Sequence, residues 1–178
     1  RKSERTAVPI ADLLLSQLRL LPDHQALVLD VSRILTREGR LSEAQRILQP
    51  YTARFPDDWM GYFQLGLARM RQGEHRSAGS AFEKALEIQP GEAASWYNLG
   101  QTRAIDGQYK MALQAFERAI QEQPNLSDAH CERARALHAL GSINEAQKAY
   151  AEASTDKRLT LAKLLSSENL DGIRSVLL

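Results

Sequence analysis

Four glycines, Gly39, Gly73, Gly107 and Gly141, fall 34 residues apart, and no other feature of this 178-residue chain constrains its fold as much. Alanines Ala44, Ala78, Ala112 and Ala146 keep the same step, and so do Pro22, Pro56, Pro90 and Pro124. Three independent residue types holding one period point to a supersecondary unit copied along the chain, each copy burying its apolar face against a neighbour. The content of the unit is helical. Within Trp96 to Asp106 the residues Trp96, Leu99, Ala104 and Ile105 stand three and four apart or adjacent, and Met111, Ala112, Ala115, Phe116, Ala119 and Ile120 form a second stripe of helical period. Two amphipathic helices per copy follow. Gly107 between them supplies the backbone freedom of a tight helix stop, and Pro124 keeps the second helix from running on. Ser42 with Gln45, and Ser142 with Glu145, read as capping boxes that open the second helix of their copies. Ala, Leu, Gln, Glu and Arg dominate the composition and aromatic residues make up only 6%, which favours helix over sheet.

The sharpest copy, Ala93 to Leu126, resembles the tetratricopeptide repeat pattern W-x2-L-G-x2-Y, then A-x3-F, then P, through Trp96, Leu99, Gly100, Ala112, Phe116, Ala119 and Pro124. The copy before it matches through Tyr62, Leu65, Gly66, Ala78, Phe82, Ala85 and Pro90. The flanking copies are degenerate: the first has Ser32 for the packing glycine, and the fourth has His130, Arg133 and Ala134, with Arg158 for the proline. The resemblance implies an all-α, right-handed superhelical solenoid of antiparallel helix pairs. Four repeats are expected at 25–58, 59–92, 93–126 and 127–160. Residues 1–24 read as a partial repeat, with Pro9 to Leu21 as its second helix, and 161–178 as a capping helix or the start of a further segment. The chain opens at Arg1 rather than Met, so processing, or excision from a longer protein, is expected. Gly66, Gly100, Ala78 and Ala112 would let helices approach closely, with Phe82 and Phe116 filling the space they leave. Arg69 and Arg103 stand where the family has a tyrosine. Their stems should pack while their guanidinium groups form salt bridges with an adjacent helix.

Lys plus Arg number 23 and Asp plus Glu 22, so no global field attracts nucleic acid or an acidic membrane. The interleaved aromatic residues of single-strand readers are missing as well. No run approaches the ~20 apolar residues that span a bilayer, and no membrane insertion is expected. Cys131 has no second cysteine to pair with, which leaves the compartment open, with the cytoplasm as the working expectation. No phosphate-binding loop, dinucleotide fingerprint, nucleophile elbow or zinc-protease motif occurs, so neither enzymatic activity nor a cofactor is expected. His130, Cys131, Glu132 and His138 alone resemble metal ligands, but His130 takes the core position that Trp96 holds one copy earlier, and no metal site is expected.

In the family the first helix of each pair lines a concave groove, and the resemblance therefore implies a protein–protein interaction scaffold that binds a peptide or helix of a partner there. The residues assigned to the groove are Arg33 and Arg37 in the first repeat, and Met60, Phe63, Leu67, Met70 and Arg71 in the second. Tyr97, Asn98 and Gln101 follow in the third, and Arg135 in the fourth. Met60, Phe63, Leu67, Met70 and Tyr97 are expected to form a contiguous apolar strip with Arg33, Arg37 and Arg71 toward one end. Some relatives clamp the terminal carboxylate of heat-shock chaperones. That set would fall on Phe63, Leu67, Asn98, Asp128 and Glu132, of which only Asn98 fits, and a chaperone co-factor role is disfavoured. Two further readings are the recruiting array of a larger enzyme such as a glycosyltransferase, and a self-associating module that forms homo-oligomers.

Overall fold

A computed structural model describes residues 10–21 and 23–152. Among these residues it contains nine helices and no strand: α1 (Ile10–Leu20), α2 (Gln25–Arg37), α3 (Leu41–Arg54), α4 (Trp59–Arg71), α5 (His75–Ile88), α6 (Ala93–Ile105), α7 (Tyr109–Glu122), α8 (Ser127–Ala139) and α9 (Ile143–Glu152). The fold is an all-α helical-repeat solenoid. The first helices α2, α4, α6 and α8 all have 13 residues and start 34 residues apart. The second helices α3, α5 and α7 have 14 residues and keep the same step. Pro22, residues 153–160 and the expected cap at 161–178 lie outside the described residues.

The turn inside each repeat explains this regularity. Gly39, Gly73, Gly107 and Gly141 have φ of 77°, 85°, 73° and 82°, a left-handed conformation that is costly for a residue with a Cβ. The amide after each glycine then returns to a carbonyl five residues back: Arg40 to Leu35 at 2.8 Å, Glu74 to Arg69 at 2.9 Å, Gln108 to Arg103 at 2.8 Å and Ser142 to Leu137 at 3.0 Å. This closure satisfies orphan carbonyls at the helix end and fixes where the next helix begins. It also corrects the expected capping box at Ser42 and Gln45. The residue that opens α3 is Arg40, whose carbonyl accepts the Ala44 amide at 3.1 Å, and Ser42 already lies inside the helix. Ser142 does stand at the equivalent position before α9, with its carbonyl accepting the Ala146 amide at 2.9 Å.

The helices form two compact units that divide between Pro90 and Gly91. In the first, α2 packs on α1, α3 and α4, and α4 packs on α3 and α5. Its core joins Val28, Val31 and Leu35 to Ala11, Leu18, Ala44 and Tyr51, and a second cluster joins Leu48, Leu65 and Ala81. In the second unit α7 packs on α6 and α8, and α8 on α9, around Ala112, Phe116 and Ala136 and around Ala134, Leu137, Ala146 and Ala149. Phe82 and Phe116 are completely buried, and each burial contributes about 1.5–3 kcal/mol. The contacts expected for Gly66 and Gly100 are present. A Cβ at Gly66 would stand 2.6 Å from the Phe82 ring, and one at Gly100 2.5 Å from the Phe116 ring. Where the glycine is replaced, the facing residue changes with it: Ser32 shares its repeat with the smaller Leu48, and Ala134 with Tyr150. No described helix is long and apolar enough to cross a membrane.

Candidate functional site

The first helices carry the expected site residues, and the two units dress them differently. In the first unit α4 presents Met60, Phe63, Leu67 and Met70, all half-buried, on one face. Their spacing of three and four residues stacks them along the helix. Phe63 is partly committed to its own repeat, with ring centroids 6.1 Å from Trp59 and 5.9 Å from Phe82. Arg33, Arg37 and Arg71 are exposed on α2 and α4. Arg33 bonds Asp30 at 2.5 Å, and Nη1 of Arg71 donates to the Thr36 carbonyl at 2.8 Å, which ties the end of α4 to the end of α2. This face is apolar with a basic margin.

In the second unit the equivalent face is polar and acidic. Tyr97 repeats the position of Phe63 and packs 6.0 Å from Phe116, while its hydroxyl accepts from Nε2 of Gln101 at 2.9 Å. Burial pushes the Tyr97 phenol up to about 12, and the charges of Glu132 and Asp128 add to the shift, so both carboxylates act on this ring. Asn98 is buried and donates to the Ala94 carbonyl at 2.7 Å, so its amide nitrogen is engaged by its own helix. Arg135 is exposed and bonds Glu132 at 3.1 Å. Of the apolar residues expected in one strip, four therefore share α4 in the first unit and Tyr97 belongs to the second. The resemblance also assigns Asp128 and Glu132 to the groove positions of the fourth repeat, although they do not fit a chaperone clamp. Their action on the Tyr97 phenol agrees with that assignment.

Two other expectations meet the structure here. Arg69 does pack at the position of the fully buried Leu35 one repeat earlier, but its Nη1 donates to the Ser77 backbone carbonyl of α5 at 3.2 Å, where a carboxylate was expected. Nη1 of Arg103 donates to the Gln108 side-chain amide at 2.8 Å. Both acceptors stand at the start of the second helix of the repeat, Ser77 in the first turn of α5 and Gln108 just before α7. His130 is half-buried, with Nε2 2.8 Å from the Pro124 carbonyl, as a packing residue would be. Among the described residues no three His, Cys, Asp or Glu side chains gather as metal ligands would.

Solved structures share this arrangement of helices. A crystal structure of MamA superposes with a TM-score of 0.76 at 22% identity, covering 80% of this chain and 84% of that one. YrrB, described as a TPR protein with an unusual peptide-binding site, gives 0.73 at 18% identity, with 91% and 89% covered. TTC0263, a thermophilic TPR protein in Thermus thermophilus, gives 0.70 at 19% identity, with 88% and 87% covered. At these identities the likeness shows the fold alone. No curated protein matches the sequence significantly. A tetratricopeptide repeat family model matches residues 32–93 and again 63–127, which together span more than half of the 178 residues. With the helix register, the turn glycines and the glycine–phenylalanine contacts all in the places that pattern requires, the chain belongs to the tetratricopeptide repeat family.

Proposed function

We propose that the chain is a protein-interaction scaffold that takes a peptide or an amphipathic helix of a partner protein against its first-helix faces. The fold itself suggests a scaffold for protein partners, since stacked repeats present extended surfaces. The observation that carries the finer reading is the row of Met60, Phe63, Leu67 and Met70 along α4, half-buried beside exposed Arg33, Arg37 and Arg71. Methionines adapt to irregular surfaces, and an aromatic anchored at its base is a favoured hot spot. A ligand segment with apolar side chains and a neighbouring carboxylate fits this face. The α6 and α8 face, with Tyr97, Gln101, Asp128 and Glu132, suits a segment that brings hydrogen-bond donors or a cation. YrrB, described by its peptide-binding site, supports the choice of a peptide as ligand.

Photo-cross-linking by position tests this proposal. A photoreactive side chain at Met70 or Gln101 should capture a partner from native extract, and the same group at Ser80 on α5 or Gln114 on α7, both exposed, should not. Capture from Ser80 and Gln114 alone would move the ligand to the second helices. A product composed only of this chain would favour self-association.

A further inference from the structure

A second surface lies away from the first-helix faces, within residues 12–55 of the first unit. Here α1 and α3 enclose a cavity of about 660 Å³ over α2. Its floor is apolar, built from Leu15, Leu18, Val28, Ile47, Tyr51 and Phe55. Asp12 pairs with Arg40 at 2.6 Å where the two helices begin, and Asp23 pairs with Arg54 at 2.6 Å where they end. The helices therefore run parallel, separated by a slot. An 11-residue helix such as α1 is about 16 Å long, so the slot is matched to a short segment of chain.

The charges around the slot are unequal. Four arginines line it, Arg19, Arg40, Arg46 and Arg54, against three carboxylates, Asp12, Asp23 and Glu43. Each carboxylate is already held: Asp12 and both oxygens of Glu43 by Arg40, the latter at 2.6 and 2.7 Å, and Asp23 by Arg54. Arg46 reaches Glu43 only at 4.0 Å and is 75% exposed, and among the described residues no carboxylate pairs with Arg19. Two guanidinium groups thus border an apolar slot with hydrogen-bonding capacity in hand, while the carboxylates at its ends repel a polyanion. We infer that the slot between α1 and α3 docks a short acidic amphipathic peptide segment of a partner protein, its apolar side chains against Leu15, Ile47 and Phe55 and its carboxylates on Arg19 and Arg46. Charge-assisted pairs of this kind give orientation as well as affinity, and the cavity lies within the 300–1,000 Å³ typical of ligand sites.

The test uses the full chain and two capped peptides, one of leucine and glutamate at helical spacing, the other with lysine for every glutamate. The Leu/Glu peptide should bind about tenfold more tightly, the equivalent of ~1.4 kcal/mol, and should shift the methyl resonances of Leu15, Leu18, Val28 and Ile47. Replacing both arginines, Arg19→Glu with Arg46→Glu, should reverse the preference toward the Leu/Lys peptide, with far-UV circular dichroism confirming retained helix. The docking site is overturned if the unmodified chain shows shifts at Met60, Leu67 and Met70 instead, if charge reversal leaves the preference unchanged, or if the Leu/Glu peptide shows no saturable binding. Sedimentation that reveals a dimer abolished by the same two substitutions would assign the slot to a second copy and overturn the partner segment.

Discussion

Gly100 and Phe116 meet where no methyl group fits, since a Cβ on Gly100 would come within 2.5 Å of Phe116 Cε1. Two effects compete in Gly100→Ala. Alanine gains about 1 kcal/mol of helix propensity, but the ring it strikes is completely buried and has nowhere to swing, and overpacking of that kind costs about 1–3 kcal/mol. The clash should win, with a net loss of up to about 2 kcal/mol in thermal denaturation. Adding Phe116→Leu, the residue that stands at the equivalent position, Leu48, in the repeat that carries Ser32, should recover part of the loss attributable to the glycine position. A Gly100→Ala melt equal to the parent's would mean that the ring yields. The same reasoning bears on binding variants. Phe63 lies between Trp59 and Phe82, so its removal would cost stability as well as contact area, and Leu67 or Met70 reports on a ligand more cleanly.

The two kinds of helix start by different means. Second helices are positioned by the glycine turn and lack side-chain caps at Arg40, Glu74 and Gln108. Three of the four first helices start on a capping side chain: Nδ1 of His24 accepts the Leu27 amide at 3.1 Å before α2, Oδ1 of Asp58 accepts Met60 at 3.0 Å before α4, and Oε1 of Glu92 accepts Ala94 at 3.2 Å before α6, whereas α8 starts at Leu126 without one. Asp58 has a second task, because its other oxygen accepts the Tyr51 hydroxyl and so fastens the start of α4 to the end of α3. Tyr51 is itself buried, and removal of the acceptor strands its hydroxyl. Asp58→Ala should therefore cost about 2 kcal/mol, and Glu92→Ala, which removes only a cap, about 1 kcal/mol. Urea unfolding monitored by circular dichroism measures both, and equal losses would show that the Tyr51 bond adds nothing.

Across the chain, the two units carry faces of opposite character on one repeat scaffold, apolar and basic in the first, polar and acidic in the second. They share a response to alkali. Burial raises the phenols of Tyr51 in the first unit and of Tyr97 and Tyr150 in the second, with the Tyr51–Asp58 bond and the carboxylates near Tyr97 adding to the effect. A raised phenol is neutral in the folded state. Its contribution is complete below the unfolded value of 10.0 and is lost as pH rises through the folded value, which for Tyr97 is about 12. Stability should be level through neutral pH and fall steadily above about 10, where unfolded phenols ionise. Tyr97→Phe should make that fall shallower, as read from unfolding midpoints against pH, and an unchanged slope would show that Tyr97 is not among the groups responsible.

The 34-residue period by itself locates the turns, the helix pairs and their common register. It can do so because a repeat buries its face against sequence neighbours, and the residues that make those contacts, Gly66 with Phe82 or Gly100 with Phe116, lie in one repeat. The period also assigns positions to the first-helix faces. What it leaves open is how each side chain is occupied. Arg71 is held by the Thr36 carbonyl, Asn98 by that of Ala94, and Arg69 by that of Ser77, and all three acceptors are backbone atoms that any sequence would supply. The slot between α1 and α3 is of the same kind. Its arginines and carboxylates are scattered from Asp12 to Arg54, and they become one surface only because helix packing sets the distance between two segments that the chain itself keeps far apart.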